Sequence, residues 1–280
     1  MRSDFLRNVA AATSRRSFLR TASVAVMASG VAELIRRPAV AETKLAARIA
    51  ETPESHPLLP ALKSTAQSLK ELEAVKDYQA TFVRQELVAR RLLSSRMELK
   101  VRHEPFSVYL KYLEPYAGRE VIYVSGKNDG KLQAHDTGLA GLVGTLSLDP
   151  QGSMAMDGNR HPITMIGIRN IAEIVIEQCL TLIHKEGVKV NFYPSAKIGD
   201  LPCKTYETIL AKPVDGIEFQ TSRIYFDAKT GLPVRAQALG FPDRAADKAP
   251  VIEDYSYLDL KTNVDLKDID FDVENPQYAF

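Results

Sequence analysis

The sequence predicts a mainly β protein with helices (α+β), in which a continuous antiparallel sheet curls around two helices. Three observations predict it: two segments with apolar residues at helical intervals, two sets of segments that alternate with period two, and short turn-like breaks between them. Hairpin-length links make consecutive strands antiparallel neighbours. A sheet with one apolar face needs a cover, and the two helices supply it.

Leu58 to Val75 carries Leu58, Leu62, Leu69, Leu72 and Val75 among Lys, Gln, Ser and Glu, the spacing of an amphipathic helix. The first strand set follows: residues 78–87, 96–102, 106–112, 120–124 and 131–135. In the second of these Met97, Leu99 and Val101 oppose Glu98, Lys100 and Arg102; in the third Phe106, Val108 and Leu110 oppose Ser107, Tyr109 and Lys111. The breaks His103-Glu104-Pro105, Glu114 to Gly118 and Asn128-Asp129-Gly130 have turn chemistry. Residues 136–167 interrupt the rhythm with six glycines and form an irregular excursion. It closes on Gly158-Asn159-Arg160-His161-Pro162-Ile163.

A second helix is expected from about Asn170 to Lys185, with Ile171, Ile174, Val175, Cys179, Leu182 and Ile183 on one face. The second strand set is 188–193, 203–210, 218–227, 233–240 and 252–260, with Asp227 to Gly231 as a hairpin connection. The tail ends in Asn275-Pro276-Gln277-Tyr278-Ala279-Phe280, whose aromatics are able to dock.

The first 41 residues read as an export signal. Arg15-Arg16 precede Ser17-Phe18-Leu19-Arg20, a mildly apolar stretch runs from Thr21 to Ile35, and Ala39-Val40-Ala41 is a small-residue cleavage pattern. This segment resembles a twin-arginine signal, which a receptor reads and which is not an anchor. The expected organisation is a signal peptide over 1–41, cleaved after Ala41, a linker over 42–57, and one half-barrel domain over 58–280. The expected compartment is the periplasm, with the twin-arginine export machinery as a partner. The signal holds seven arginines against Asp4 and Glu33, so removing it takes the chain from +1 to −4. Nothing then remains of the basic stripe that a nucleic-acid binder needs, and no nucleic-acid partner is expected.

The path from Tyr78-Gln79-Ala80-Thr81-Phe82-Val83-Arg84-Gln85-Glu86 through Met97 to Arg102 and Pro105 to Tyr112 resembles a family of exported bacterial proteins of unknown function. Leu113 to Glu120 and Gly158 to Ile163 are the most distinctive parts of that match, which covers roughly residues 60–280. The family is similar in plan to the periplasmic carriers that sort lipoproteins to the outer membrane, and Ile224 to Arg235 fits their plan. The resemblance implies a half-barrel whose concave apolar face holds an acyl chain or another hydrophobic group.

The chemistry-bearing residues support binding more than catalysis. Met97, Leu99, Val101, Phe106, Val108, Leu110 and Ile122 are the candidate apolar ligand face. Arg84, Arg119, Arg160 and His161 are candidates for a polar rim, with salt-bridged surface arginines as the plainer reading of each. The alternative is an envelope hydrolase or lyase in which His135, Asp136, Asp157 and His161 converge as base and orienting carboxylate; a third is a module that docks an envelope protein. The five histidines lack metal-ligand spacing, Asp268-x-Asp270-x-Asp272 lacks the glycine and glutamate of a calcium loop, and no dinucleotide or haem motif stands in the chain, so neither a metal nor a cofactor is expected. Cys179 and Cys203 could pair in an oxidising compartment or sit as two buried thiols; the second reading is preferred, with Cys179 on a helix face.

Overall fold

The computed structural model describes Leu45 and residues 47–138, 140–244 and 248–280. The expected export signal, residues 1–41, lies outside them. Two compact units are present, Met1–Ala50 and Glu51–Phe280; in the first, the described residues are helical. The second holds everything that follows.

Helix α1 is Leu59–Glu73, with Pro60 in its first turn, where a missing N–H costs nothing. Strands β1 (Asp77–Val88), β2 (Arg91–Arg102), β3 (Ser107–Glu114), β4 (Glu120–Val124), β5 (Leu132–His135) and β6 (Leu146–Leu148) follow as a meander. Helix α2 (Ile168–Leu182) leads to a second meander, β7 (Val188–Ile198), β8 (Leu201–Leu210), β9 (Thr221–Asp227), β10 (Pro233–Leu239) and β11 (Val251–Thr262). All eleven join one open antiparallel sheet in the order β6-β5-β4-β3-β2-β1-β11-β10-β9-β8-β7. The first and last strands of the domain are therefore neighbours at its centre, and the sheet has the curled half-barrel form.

Three differences from the sequence reading have local causes. Strand β2 begins at Arg91, five residues early, because Ala89 and Arg90 both take positive φ (47° and 67°) and close a two-residue hairpin without glycine. Strand β7 runs on to Ile198 through an irregularity between Tyr193 and Ala196. A short β6 forms inside the excursion and pairs with β5.

Register assigns the faces. Tyr78, Ala80 and Phe82 of β1 pair with Val101, Leu99 and Met97, which pair in turn with Val108, Leu110 and Tyr112. This is the helix face, and Met97, Leu99, Val101, Val108 and Leu110 on it are 0 to 4% exposed. Phe106 stands just before β3, half-buried, near the Tyr123 ring. Ile122 is a correction: it pairs with Tyr109, while Val108 pairs with Tyr123, so Ile122 points away from the helices.

The far face is apolar here too, because the tail covers it. Tyr109, Ile122, Val124 and Phe271 form a buried cluster against Leu266, Val273, Tyr278 and Phe280. Tyr278 stacks on Tyr109 with ring centroids 4.1 Å apart. Glu120, fully buried, accepts the Tyr109 hydroxyl at 2.8 Å and the Ala279 N–H at 2.6 Å. Asp268 and Asp270 pair with Arg102 and Lys100 of β2 and so fasten the tail.

Both cysteines are free and buried. Burial pushes the Cys179 thiol up to about 12, which leaves it protonated and inert.

Helix α2 begins in the interior. Its first amides are met by two phenols from the central strands: Tyr257 Oη accepts the Gly167 N–H at 3.0 Å, and Tyr78 Oη accepts the Ile168 N–H at 3.1 Å. Burial raises both tyrosine pKa values, so these hydroxyls stay protonated. Gly167 has φ 131°, and a Cβ there would stand 3.1 Å from Tyr78 Oη. Replacing both tyrosines by phenylalanine is expected to lower unfolding free energy by about 2–4 kcal/mol, since two buried N–H groups lose their acceptors. Urea denaturation measures it, and a loss below about 0.5 kcal/mol would contradict this account.

Deleting residues 275–280 is expected to cost a further, separate amount of about 2–4 kcal/mol, by uncovering Tyr109 and removing a donor from Glu120. The same denaturation assay, with the full chain beside it, reads the difference.

Candidate functional site

A polar cluster interrupts the helix face where β1 and β11 meet. Glu86 and Glu253 are register partners on these strands, and Arg84 and Tyr255 are the next pair on the same face. Two carboxylates side by side in the interior repel unless donors surround them.

The donors come from the strands and from the end of the excursion. Glu86 accepts the Tyr255 hydroxyl at 2.7 Å and the Arg160 backbone N–H at 3.1 Å, and Arg84 Nη1 stands 3.4 Å away. Glu253 Oε2 meets His161 Nε2 at 2.8 Å and Arg160 Nε at 3.2 Å. Arg160 also pairs with Glu218 in the connection before β9, and Arg84 donates to Ser95 at 2.7 Å. Burial raises the pKa of Glu253, but the hydrogen bonds and charges from His161 and Arg160 outweigh it and hold the carboxyl below its ordinary value. Burial and the two carboxylates push the Tyr255 phenol far up, so it acts only as a donor here.

Arg84, Arg160 and His161 therefore converge, as a rim would. Arg119 does not: it lies between β3 and β4, over the Tyr116 and Tyr112 rings, and donates to Asp136 at 2.5 Å. That bond holds the Asp136 carboxyl below its usual value.

The four-residue catalytic alternative fails on geometry. His135 and Asp136 lie at the end of β5, five strands from β11, whose Glu253 holds His161. Asp157 offers its backbone carbonyl to Asn159. The sequence placed both His-Asp pairs beside one loop, but the sheet separates the loop's two ends. Among the described residues no group of His, Cys, Asp and Glu has the arrangement of a metal site.

Glu86, Glu253 and Tyr255 were missed by the sequence reading. Their signal is one of phase: in β1 the alternation that buries Tyr78, Ala80 and Phe82 continues onto Arg84 and Glu86, and in β11 Tyr257 leads back to Tyr255 and Glu253. Charged residues in the buried phase mark a place where something polar must meet the sheet. That partner is the Arg160-His161 segment, 74 residues further along the chain from Glu86.

The chain belongs to a family described as "Protein of unknown function (DUF1571)", whose model matches residues 75–280. A search of curated proteins finds no match. Among solved structures it is similar to a DUF1329 family protein from Desulfovibrio piger, at 11% identity and TM-score 0.36, covering 78% of this chain and 98% of that one. It is also similar to lipoprotein LppX of Mycobacterium tuberculosis, at 13% identity and TM-score 0.39, covering 72% and 93%. A LolA superfamily protein from Nitrosomonas europaea gives 11% identity and TM-score 0.31, covering 76% and 97%. At such TM-scores these likenesses carry no argument about what the chain binds.

The cluster behaves as a fastening, and its pH dependence follows from Glu253. A carboxyl with a depressed folded pKa stabilises above the unfolded value, and that contribution is lost as pH falls through the folded one. Amide exchange across residues 149–163, taken relative to the intrinsic rate at each pH, is therefore expected to quicken below the ordinary carboxyl value of 4.5. Glu253→Gln is expected to quicken it already at neutral pH and to flatten the acid response. Identical exchange profiles in the two proteins would rule out Glu253 as the fastening group.

Proposed function

We propose that this DUF1571 protein is an exported, non-enzymatic binding protein that takes up or hands on a hydrophobic or lipidic ligand between its half-barrel and its cover. Export through the twin-arginine route and cleavage after Ala41 belong to this reading, as does an envelope protein partner. One observation carries it. The helix face is closed at the β1–β11 seam by a loop that ion pairs and hydrogen bonds fasten to both strands.

Such a fastening suits a cover that must reopen. Apolar packing would hold the loop without direction, whereas a cluster of charges is lost together once its geometry is broken. Met97, Leu99, Val101, Val108 and Leu110 are packed shut in this state, so a ligand reaches them only after the cover moves. Closure lowers apparent affinity, which scales with the fraction of time the protein is open. Arg84 and Arg160, released from their carboxylates, would then meet an anionic headgroup at the mouth.

A fluorescent acyl probe tests this with the protein lacking residues 1–41. Saturable binding is expected, and Glu253→Gln is expected to tighten it about threefold or more by raising the open fraction. Thermal unfolding alongside shows that the variant remains folded. Absence of binding by both proteins, with native mass spectrometry finding no acyl ligand on protein taken from the cell envelope, would overturn the proposal.

A further inference from the structure

The face away from the helices carries a groove across β7 to β11 that the binding proposal does not use. Two rows of side chains cross the strands in register. The first is Tyr193, Thr205, Tyr225 and Arg235, and the second is Glu207, Arg223, Gln237 and Asp254. Pro194 and Ser195, at the irregularity in β7, form the rim of a hollow of about 430 Å³ between Tyr193 and Tyr225. A second hollow of about 240 Å³ lies further along, where Ile198 from the β7–β8 hairpin meets Arg235 and Asp254.

The first row makes a slot. Tyr193 and Tyr225 stand on strands two apart, so their backbones are roughly 10 Å from each other, with the smaller Thr205 between them. That separation admits one ring between two aromatic side chains. Both walls are held in place: Tyr193 donates its hydroxyl to Glu207 at 3.0 Å, and the Arg235 guanidinium lies 5.2 Å from the Tyr225 ring centroid. Tyr193 nevertheless remains 45% exposed. Thr205 is 2% exposed, and its hydroxyl has no hydrogen-bond partner among the described residues. A buried hydroxyl left unpaired in a slot calls for a partner from outside the chain.

The second row sets the chemistry of that partner. Arg223 Nε donates to Glu207 at 2.6 Å and its Nη1 to Gln237 at 2.8 Å. Gln237 donates to Asp254 at 2.6 Å, and Arg235 grips the same carboxylate through two bonds of 2.8 and 2.6 Å. Each carboxylate is matched by a guanidinium, so the groove offers no uncompensated charge to an ion. It offers planar groups with unspent donors and acceptors beside aromatic faces. A ring with apolar C–H faces and a hydroxylated edge fits both rows, and the second hollow lies on the course of a chain of such rings.

We propose that this groove is a saccharide-binding site, with Tyr193 and Tyr225 as the walls of its principal subsite and the Arg235–Asp254 pair in the next. A nucleobase would also enter a slot between two tyrosines, but both arginines that line the groove are already paired with carboxylates. The groove and the acyl site lie on opposite faces of the sheet, so either can be tested without the other.

Isothermal titration of the protein lacking residues 1–41 with chitotetraose, cellotetraose and maltotetraose, beside adenosine, provides the test. Saturable binding of at least one oligosaccharide is expected, weakened about tenfold or more by Tyr193→Ala or Tyr225→Ala. Tyr193 is exposed enough for its variant to keep the fold, and circular dichroism checks this. Thr205→Leu, which fills the floor of the slot, is expected to weaken binding as well. No saturable binding of any oligosaccharide up to about 10 mM would overturn the proposal, as would binding that is indifferent to Tyr193 and Tyr225 or adenosine binding in preference to the sugars.

Discussion

The seating of helix α2 on two phenols is the constraint on which the rest of this domain depends. A helix that starts in the interior brings unpaired amide groups with it, and water cannot reach them. Tyr78 and Tyr257 supply the acceptors. They come from β1 and β11, so the same contact that satisfies the helix also fixes the two central strands relative to it. Gly167 leaves the backbone free to approach Tyr78 closely. Arg169, one residue into α2, reaches the Leu72 carbonyl at 3.1 Å and ties the second helix to the first.

From that anchor the two faces diverge. One is apolar and covered by helices, apart from the carboxylate cluster at the seam. The other is divided: the tail buries its β3–β4 side around Tyr109 and Glu120, while the β7–β11 side stays polar and grooved. The row Glu207, Arg223, Gln237 and Asp254 is bonded across the strands from one side chain to the next, as suits a solvated sheet face. The slot arises because one small residue, Thr205, stands between two large ones.

The architecture was legible in the sequence because its signals are local. Helical spacing in Leu58, Leu62, Leu69 and Leu72 and the alternation in Met97 to Arg102 need no partner to be read. Ile122 was misplaced for a reason of the same kind. In β4 the run Val121-Ile122-Tyr123-Val124 is apolar at every position, since both faces are covered, and alternation then gives no phase. The site was legible only in pieces. Arg84, Arg160 and His161 could be named, but their meeting requires Glu86 and Glu253 to lie opposite each other, and that pairing joins the two ends of the domain. Similarly, the nearness of His135 to the excursion in sequence said nothing of the four strands that stand between β5 and the strand that holds His161.

The strand order has a consequence for how the chain assembles. Each meander needs only its own neighbours, but the β1–β11 seam joins residues 77–88 to residues 251–262. Contacts so distant in sequence form slowly, because the loop between them must close before they contribute anything. The seam is also where α2 finds its acceptors and where Glu86 meets Glu253. The middle of the sheet, the seat of the helix and the fastening of the loop are therefore late events that become possible together. During synthesis the N-terminal meander must wait, with β1 unpaired along one side, until β11 has been made.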